Sequence, residues 1–471
     1  MRHLHELPGP RALPIIGNAW RLQRTRVHQQ VENWNRAYGP LFQFRLGRRG
    51  PMLGVSDHQA VAALLRDRPD GFRRTRLLEV IGGEMGLTPG LFAANGDDWK
   101  RQRRMVMAGL DPTHVKAYYP SLARVAQRLR TRWTQAARHA ASIELQPDLM
   151  RFTVDAIAGL AFGADVNTLE SDAEVIQQHL DKIFPTLSRR LFALVPWWRY
   201  FPSAADREVV RSVAAVNAAI ATFIAEARAR LAADATRRAA PPNLLEAMVV
   251  AAEDGQGSLS DRDVAGNVLT MLLAGEDTTA NTLAWMIHLL WRHPEVLRRA
   301  QAEVRGLGLD LGDWTPEHLA GLDYLEACAN ETMRLKPVAP FQVMEALRDT
   351  QVADVQVPTG TLIWCVMRGD TMAARHFPEP ETFRPERWLA SGDGAAASSS
   401  AKRISMPFGA GPRVCPGRYL ALLEIKMAMT VLLNHFDIAT VEAPGGVEPV
   451  EHMAFTMMPV GLRMTLRVRT A

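Results

Sequence analysis

The stretch FGAGPRVCPG at residues 408–417 decides how the rest of the chain is interpreted. It places Cys415 in a turn of glycines and prolines, just before an apolar helical pattern at residues 419–433. Glycine lets the backbone approach a flat or bulky group, and proline fixes the turn. A cysteine ahead of a helix N-terminus is favoured as a thiolate, and Arg413 adds positive charge. Such a thiolate can be a nucleophile, a redox thiol or an axial metal ligand; a buried structural cysteine is the fourth possibility.

Composition narrows these possibilities. The 471 residues are 47% hydrophobic and carry a net charge of only +5, too mild a balance to indicate nucleic-acid binding. Three scattered cysteines make neither a C-x-x-C redox pair nor a disulfide framework, so we expect a reducing cytoplasm. The N-terminus lacks the apolar run that a membrane span or a signal peptide needs.

A long apolar helix is predicted upstream, from about residue 261 to 293, where Pro294 stops it and Ser258 or Ser260 caps it. Its middle reads LAGEDTT at residues 273–279. A glycine costs up to about 1 kcal/mol there, and threonine hydroxyls compete for backbone carbonyls. This local cost indicates a functional segment.

Two weaker patterns complete the set. Trp99 and Arg103 stand four residues apart, so they share one helical face. Glu331 and Arg334 stand three apart, and FRPERW follows at residues 383–388. Each pattern alone is common in ordinary helices, and the default interpretation of either is a solvated or structural face.

In this order and at these separations, the motifs resemble the cytochrome P450 family, from about residue 8 to the C-terminus. The cysteine loop matches the haem-ligating signature of that family at Phe408, Gly411, Arg413, Cys415 and Gly417. The helical segment matches its oxygen-binding motif at Ala274, Gly275, Asp277, Thr278 and Thr279. The resemblance implies a mainly α fold with a smaller β-rich region, to which residues 1–70 and about 340–390 contribute. A triangular helical body would hold haem between the long distal helix and the proximal cysteine-loop helix, in a single domain over residues 1–471.

The resemblance also implies roles. Cys415 would be the axial ligand of the iron in haem b, and Asp277 and Thr278 would deliver protons during dioxygen activation. Glu331, Arg334 and Arg387 would form a structural network that holds the cysteine loop. The implied haem contacts are Trp99, Arg103, Ala274, Gly275, Phe408, Gly409, Arg413 and Gly417.

One position departs from the family pattern. Many members place Arg or His where this chain has Met344, to bind a second haem propionate, and Glu345 next to it would repel a carboxylate. What holds the second propionate is therefore open, and Trp99, Arg103 and Arg413 are expected to contribute more.

The substrate pocket is expected to be apolar and its ligand lipophilic. We expect residues 71–95 to be an irregular loop over the substrate, and FALVPWWRYFP at residues 192–202 to form a lid. Arg73, Arg74 and Arg76 near the entrance favour a carboxylate only if they are not simply solvated. The candidate lining residues are Leu87, Leu91, Phe92, Val338, Ala339, Phe341, Phe455 and Thr456.

These inferences predict a soluble, bacterial, cytoplasmic monooxygenase that hydroxylates or epoxidises its substrate. Only 56 residues follow Cys415, too few for a fused reductase domain, so a separate ferredoxin or flavodoxin and its reductase would deliver electrons from NAD(P)H. A basic surface would steer this acidic partner. The residues expected on it are Lys100, Arg101, Arg104, Lys402, Arg403, Arg418 and Lys426.

Two other classes of function stay open. One is a peroxide-driven peroxygenase, or a haem-thiolate isomerase or dehydratase; such members commonly lose the acid–threonine pair that this chain keeps. The other is a non-enzymatic haem sensor or carrier.

Overall fold

The computed structural model describes residues 1–47, 49–163, 165–170, 177–180, 182–254, 259–389, 394–446 and 448–469. The helices are α1 Val27–Tyr38, α2 His58–Arg66, α3 Arg76–Glu84, α4 Gly96–Met107, α5 Pro112–Ala117, α6 Tyr119–Arg138, α7 Leu145–Phe162, α8 Gln177–Leu180, α9 Ile183–Leu191, α10 Ala204–Ala233, α11 Ala235–Ala239, α12 Leu244–Asp254, α13 Asp261–Arg292, α14 Pro294–Gly306, α15 Pro316–Ala320, α16 Asp323–Leu335, α17 Arg368–Thr371, α18 Gly394–Ser405 and α19 Arg418–His435. The strands are β1 Arg2–His3, β2 Leu41–Phe44, β3 Met52–Val55, β4 Phe72–Arg74, β5 Ile143–Glu144, β6 Phe341–Ala346, β7 Thr350–Val352, β8 Val355–Val357, β9 Leu362–Val366, β10 Phe436–Glu442, β11 Glu451–Met453, β12 Met457–Pro459 and β13 Arg463–Val468. The predicted mainly α fold with a smaller β-rich region is confirmed.

The largest sheet joins two distant parts of the sequence. Its strand order is β2-β3-β9-β6-β4, in which β3 runs parallel to β9 and the other neighbours are antiparallel. The remaining strands form small sheets of two or three. The expectation that residues 71–95 are irregular throughout is wrong, because they contain β4 and α3. Thr75 caps α3 by accepting a hydrogen bond from the Leu78 amide.

The long helix α13 crosses the centre of the molecule. Ser260 and Asp263 cap it reciprocally: the Ser260 hydroxyl accepts the Asp263 amide, and the Asp263 carboxylate accepts the Ser260 amide at 2.8 Å. Ser258, the other candidate cap, lies outside the described residues. Side chains are buried nearly all round the helix, which is expected of a helix surrounded by protein rather than lying on a surface. The predicted helix is therefore present, and it ends at Arg292.

The cysteine loop leads directly into α19, a second buried helix. Met427 and Val431 of α19 pack in one hydrophobic cluster with Leu283 and Ala284 of α13. The loop and the acid–threonine segment are thus carried by two helices that share a core.

The predicted Glu–Arg–Arg set converges in the structure. Arg334 donates two hydrogen bonds of 2.8 Å to the Glu331 carboxylate, and Arg387 donates a third at 3.2 Å. Trp388, which sequence reasoning did not include, donates from Nε1 at 2.9 Å. The side chains of Glu331 and Arg334 are fully buried. Removing one partner of a buried ion pair costs about 3–5 kcal/mol, so this network fastens α16 to the segment that precedes the cysteine loop.

One described helix, α10, is long and apolar enough to cross a bilayer by length and composition alone, and 33% of its apolar window is buried inside the protein. A stripe that includes Val209, Val213, Val216 and Ile220 packs against the body. A protein-facing stripe of this kind is typical of an amphipathic surface helix.

Candidate functional site

A cavity of about 1440 Å³ lies against the middle of α13. Its wall contains Leu87, Phe92, Ala339, Phe341, Phe455 and Thr456 of the predicted lining, together with Ala274 and Thr278. The two other predicted lining residues make backbone hydrogen bonds that hold neighbouring segments together. The Leu91 amide donates to Asn267 Oδ1, and the Val338 carbonyl accepts from the Met457 amide, both at 2.8 Å. The apolar wall suits a lipophilic molecule.

The aromatic wall includes a residue that sequence reasoning missed. The Phe184 ring stacks on Phe455 at 4.6 Å, and Phe92 contacts Phe455 edge-on at 5.8 Å. In the segment expected to be a lid, Trp197 lines the cavity, whereas Trp198 is buried and donates to Glu84 at 2.9 Å. The two adjacent tryptophans therefore divide between the cavity and the body.

The cysteine loop packs closely on the end of α2. At Gly411 φ is +70°, and a Cβ there would lie 2.5 Å from the Leu65 carbonyl oxygen, so both the backbone conformation and the space require glycine. The Cys415 amide donates to the Phe408 carbonyl at 2.9 Å, which closes the turn. The loop is thus held by its own backbone.

The helix that follows Cys415 is not enough to keep its sulfur as a free thiolate. Burial raises its pKa, and the Gly417 amide, Arg103 and Arg418 only partly oppose that effect. The helix itself begins three residues later, at Arg418. A free nucleophile is therefore disfavoured, whereas a metal cation on sulfur would supply the missing positive charge.

Arg413 bonds the cysteine loop to the turn at residues 91–94, part of which lines the cavity. Its Nη2 donates to the carbonyls of Leu91 at 3.0 Å and Ala94 at 2.8 Å, and its guanidinium lies over the Trp99 ring at 5.1 Å. The same turn reaches α13 through the Leu91–Asn267 hydrogen bond. A chain of contacts therefore joins the cysteine loop to α13.

Three further guanidiniums lie near Arg413: those of Arg68, Arg74 and Arg103. Burial first, and then neighbouring guanidiniums, lower the pKa of Arg413 to about 9 and that of Arg74 well below its ordinary value. For Arg68, burial lowers the pKa to about 10. Among the described residues, none of the four forms an ion pair with a carboxylate. The Nε atoms of Arg68 and Arg74 are buried without hydrogen-bond partners. Such a cluster requires an anionic partner.

Strand pairing shows which cation lies beside Met344, the position at which this chain lacks the Arg or His of many family members. Arg74 of β4 lies directly opposite Met344 of β6, so their side chains share one face of the sheet. Arg74 also reaches the cavity wall and stacks on Phe92 at 3.9 Å, so we expect it to supply the cation that the chain lacks at Met344. Glu345 has its own partners: its carboxylate accepts from Arg73 at 3.2 Å and from the Arg76 amide at 2.9 Å. Arg74 is a site residue that sequence reasoning had placed only at the entrance.

The donor set fits an iron porphyrin with two carboxylate substituents. Cys415 offers a thiolate ligand to iron, and Arg68, Arg74, Arg103 and Arg413 offer cations to two propionates. The Trp99 indole lies in the same group, beneath Arg413. We infer the fit from the uncompensated cations, of which Arg74 lines the apolar cavity, and from the Cys415 thiol near Arg103.

The acid–threonine segment presents different residues to different neighbours. Ala274 and Thr278 face the cavity, and the Thr278 hydroxyl donates to the Ala274 carbonyl at 2.8 Å. Gly275 packs against α7, since a Cβ there would lie 3.1 Å from Ile157, and its predicted haem contact stays a prediction. Thr456 donates to the Asp277 carboxylate at 3.4 Å and so orients it.

A buried carboxyl group couples the two central helices. Glu424 of α19 interacts with the Thr279 hydroxyl of α13, and burial raises its pKa to about 8. Both side chains are almost inaccessible to solvent. At neutral pH Glu424 is therefore largely protonated. The helical pattern after Cys415 contains this acid, but periodicity alone does not show that it points toward α13.

Comparison with known proteins agrees with these observations. The family model described as Cytochrome P450 matches residues 7–466. Pentalenene oxygenase of Streptomyces avermitilis is 26% identical over 467 residues, covering 98% of this chain and 97% of the relative. Cytochrome P450 714D1 of Oryza sativa subsp. japonica is 30% identical over 434 residues, covering 88% and 73%. The crystal structure of a cytochrome P450DA mutant heme domain shares the fold, with a TM-score of 0.84, 23% identity and 98% of each chain covered.

We predict that Arg74→Met accelerates haem loss about ten- to hundredfold, since a hydrogen bond to a charged group contributes about 1.5–3 kcal/mol. Haem transfer to an excess of apomyoglobin measures the rate. Arg73→Met is the matched control, because Arg73 pairs with Glu345 on the other face of the strand. Equal rates of loss in the two variants would contradict the assignment.

We predict that Glu424→Gln alters the pH dependence of stability. The unfolded acid loses its proton near pH 4.5 and the folded acid near pH 8, so the folded state holds an extra proton between these values. Stability of the wild type should therefore fall with rising pH in this window, by about 1.4 kcal/mol per unit, relative to the glutamine variant. Denaturant unfolding of both proteins from pH 5.5 to 9 measures it. Parallel curves would show that Glu424 is ionised in the folded state.

Proposed function

The chain belongs to the cytochrome P450 family of monooxygenases, and from this premise we propose that it inserts one oxygen atom of dioxygen into a lipophilic small molecule by hydroxylation or epoxidation. The observation that carries the proposal is the position of Thr278 on the wall of an apolar cavity, with Asp277 next to it in the sequence and Arg74 of the cation cluster on the same wall. A relative named pentalenene oxygenase supports oxygenation of an apolar substrate.

The family uses haem iron and dioxygen. Thiolate-ligated haem supplies the oxidising chemistry when bound. In this chain Cys415 would ligate the iron, and Arg68, Arg74, Arg103, Arg413 and Trp99 would hold the propionates. The protein's own part is to retain the cofactor, position the substrate and move protons.

Proton delivery falls to Asp277 and Thr278. The Thr278 hydroxyl can rotate from the Ala274 carbonyl toward the cavity, because its side chain forms part of the wall. Asp277 is held in place by Thr456, whose own oxygen accepts from Asn281 at 3.4 Å. An oriented carboxylate next to a hydroxyl donor is suited to general acid–base transfer. Each turnover takes two electrons and two protons; one oxygen atom enters the substrate and the other leaves as water.

The substrate contacts are proposed from the apolar wall, on which Phe92, Phe184 and Phe455 form an aromatic surface beside Thr278. Rings of this kind contribute through apolar contact area, so size and shape would decide which C–H bond reaches the reactive centre.

Electrons are proposed to come from NAD(P)H through a separate ferredoxin or flavodoxin and its reductase. The basic surface is smaller than sequence reasoning predicted. Lys100 pairs with Asp70 at 3.0 Å, and Lys426 is buried and pairs with Glu326 at 2.7 Å. Arg104, Lys402 and Arg403 remain exposed cations. Among the described residues, these three form no ion pair. A cytoplasmic location suits this partner and the three free cysteines.

The intact Asp277–Thr278 pair favours oxygenation by dioxygen over a peroxygenase, an isomerase or a dehydratase. Turnover that requires NAD(P)H and a reductase would support the proposal. Turnover with peroxide alone would favour a peroxygenase. Binding of lipophilic molecules without turnover under either condition would favour a sensor.

We predict that Thr278→Ala lowers the ratio of product formed to NAD(P)H consumed by about tenfold, since a positioned proton donor contributes at least that much to rate. Oxygen uptake, peroxide release and product are measured together. Thr282→Ala is the control, because the Thr282 hydroxyl makes the same bond one turn later, to the Thr278 carbonyl at 2.8 Å. Unchanged coupling in Thr278→Ala would show that protons reach the cavity by another route.

We also predict that reduction by an acidic ferredoxin slows as ionic strength rises, because exposed charges are screened within about 10 Å at 0.1 M salt. Charge reversal at Arg403 should weaken this dependence, whereas reversal at Arg298, on α14, should not. A rate insensitive to salt would count against electrostatic docking.

A further inference from the structure

Two histidines and a buried aspartate converge where α2 begins beside α17. The Asp370 carboxylate oxygen Oδ2 accepts from the His58 backbone amide at 2.9 Å. His58 Nδ1 lies 2.8 Å from the same oxygen, and His376 Nε2 lies 3.6 Å from it. The ligand atoms of these three side chains all lie within 4.8 Å of one another. We name the three residues the His–Asp cluster.

The spacing of these atoms suits a metal ion. Zinc binds histidine nitrogen and carboxylate oxygen at about 2.0–2.2 Å, so two ligands of a tetrahedral ion lie about 3.4 Å apart. The two distances from the imidazoles to Asp370 lie on either side of that value. Imidazole with carboxylate favours Zn²⁺, Cu²⁺ or Ni²⁺, whereas Mg²⁺ and Ca²⁺ prefer oxygen ligands alone. Three protein ligands leave one position of the ion to water.

The carboxylate of the cluster is buried, but solvent reaches the imidazoles. The Asp370 side chain is 5% exposed, whereas the side chains of His58 and His376 are 18% and 23% exposed. A buried carboxylate requires a cation or strong hydrogen bonds. A metal ion can therefore approach past the two rings and bind a carboxylate that the fold already holds in place.

A side-chain cation already lies beside this carboxylate. The Arg375 guanidinium pairs with Asp370 Oδ1, and Arg375 Nε donates to His376 Nε2 at 3.0 Å. That hydrogen bond requires an unprotonated Nε2, which is also the form of imidazole that binds a metal. The Arg375 side chain is 61% exposed, so rotation into solvent can release it from the pair. The position of the guanidinium is therefore open to exchange with an external cation.

The His–Asp cluster lies between two structures that hold the cysteine loop. The helix α2 begins at the cluster, and its last turn packs against Gly411 of that loop. On the other side, the carbonyl of Thr371, the residue after Asp370, accepts from Arg334 of the Glu331 network at 2.8 Å. An ion bound by the cluster would therefore fasten the start of α2 to the segment that this network holds.

We propose that His58, Asp370 and His376 bind one Zn²⁺ ion, which displaces the Arg375 guanidinium from the carboxylate. The ion ties α2 to the segment at residues 370–376. The site is separate from the haem site and takes no part in turnover, so it stands independently of the monooxygenase proposal.

The test is equilibrium dialysis of the untagged, haem-loaded protein against buffered free Zn²⁺, with bound metal measured by atomic absorption. Loaded protein is used so that Cys415 does not offer a competing thiolate. We expect one Zn²⁺ that His376→Gln or His58→Gln binds at least about tenfold more weakly, since even the outer partners of metal ligands contribute that much. Equal concentrations of Mg²⁺ should not compete.

Arg375→Gln should bind Zn²⁺ about tenfold more tightly than the wild type, because it removes a cation that repels the ion and competes for the same carboxylate. A merely structural role of Arg375 would not tighten zinc binding. Unchanged or weaker binding in this variant would overturn the displacement.

The matched control is His114→Gln. His114 Nδ1 also pairs with an aspartate, Asp111, at 2.6 Å, but within the described chain it belongs to no such group of three ligands. Its zinc affinity should equal that of the wild type, and the haem absorbance of every variant confirms folding. Hydrogen exchange locates the ion: Zn²⁺ should slow exchange of the α2 amides in the wild type but not in His376→Gln.

Absence of bound Zn²⁺ in the wild type would overturn the proposal. So would equal zinc affinity in the wild type, His58→Gln and His376→Gln, which would place the ion elsewhere, for example at His3 and His5, whose rings stack at 5.5 Å. Because zinc binding is measured without substrate or reductant, its failure is distinguishable from failure of the monooxygenase proposal.

Discussion

Like charges confined in a protein interior repel one another and lose their hydration, and four guanidiniums in this chain are subject to both costs. They come from four parts of the chain: Arg68 follows α2, Arg74 ends β4, Arg103 lies on α4 and Arg413 lies in the cysteine loop. They gather without a carboxylate partner among the described residues, so an anionic group is needed to stabilise their proximity. The two propionates of the proposed haem would satisfy that requirement. The same electrostatic demand would then help to position the sheet, the cysteine loop and α4 around one cofactor.

The remaining framework limits movement between the two central helices. The Glu331 network fastens the approach to the cysteine loop, and Arg413 bonds that loop to the turn that Asn267 of α13 holds. Glu424 adds a contact from α19 to Thr279, beside the residue proposed to deliver protons. An acid that is ionised in the unfolded chain but protonated when buried lowers the free energy of unfolding at pH 7. The presence of Glu424 between the helices is therefore better explained by its contact with the acid–threonine segment than by a gain in stability.

The cavity wall limits which molecules the cavity can bind. Part of that wall is aromatic, with Phe184 stacked on Phe455, which suits the proposed oxidation of an apolar molecule.

The sequence by itself determined the features that depend on local spacing. The cysteine loop, the capped 32-residue helix and the Glu331–Arg334 pair follow from glycine, serine and i,i+3 positions, and the structure has them where predicted. Tertiary structure alone decided which way a side chain faces. Arg73 and Arg74 are neighbours whose opposite directions follow from the pleat, but only pairing with β6 shows that Arg74 faces the cavity. Likewise Gly275 faces α7 and Lys426 is buried, because these outcomes depend on what packs against each helix, and periodicity carries no information about the neighbour.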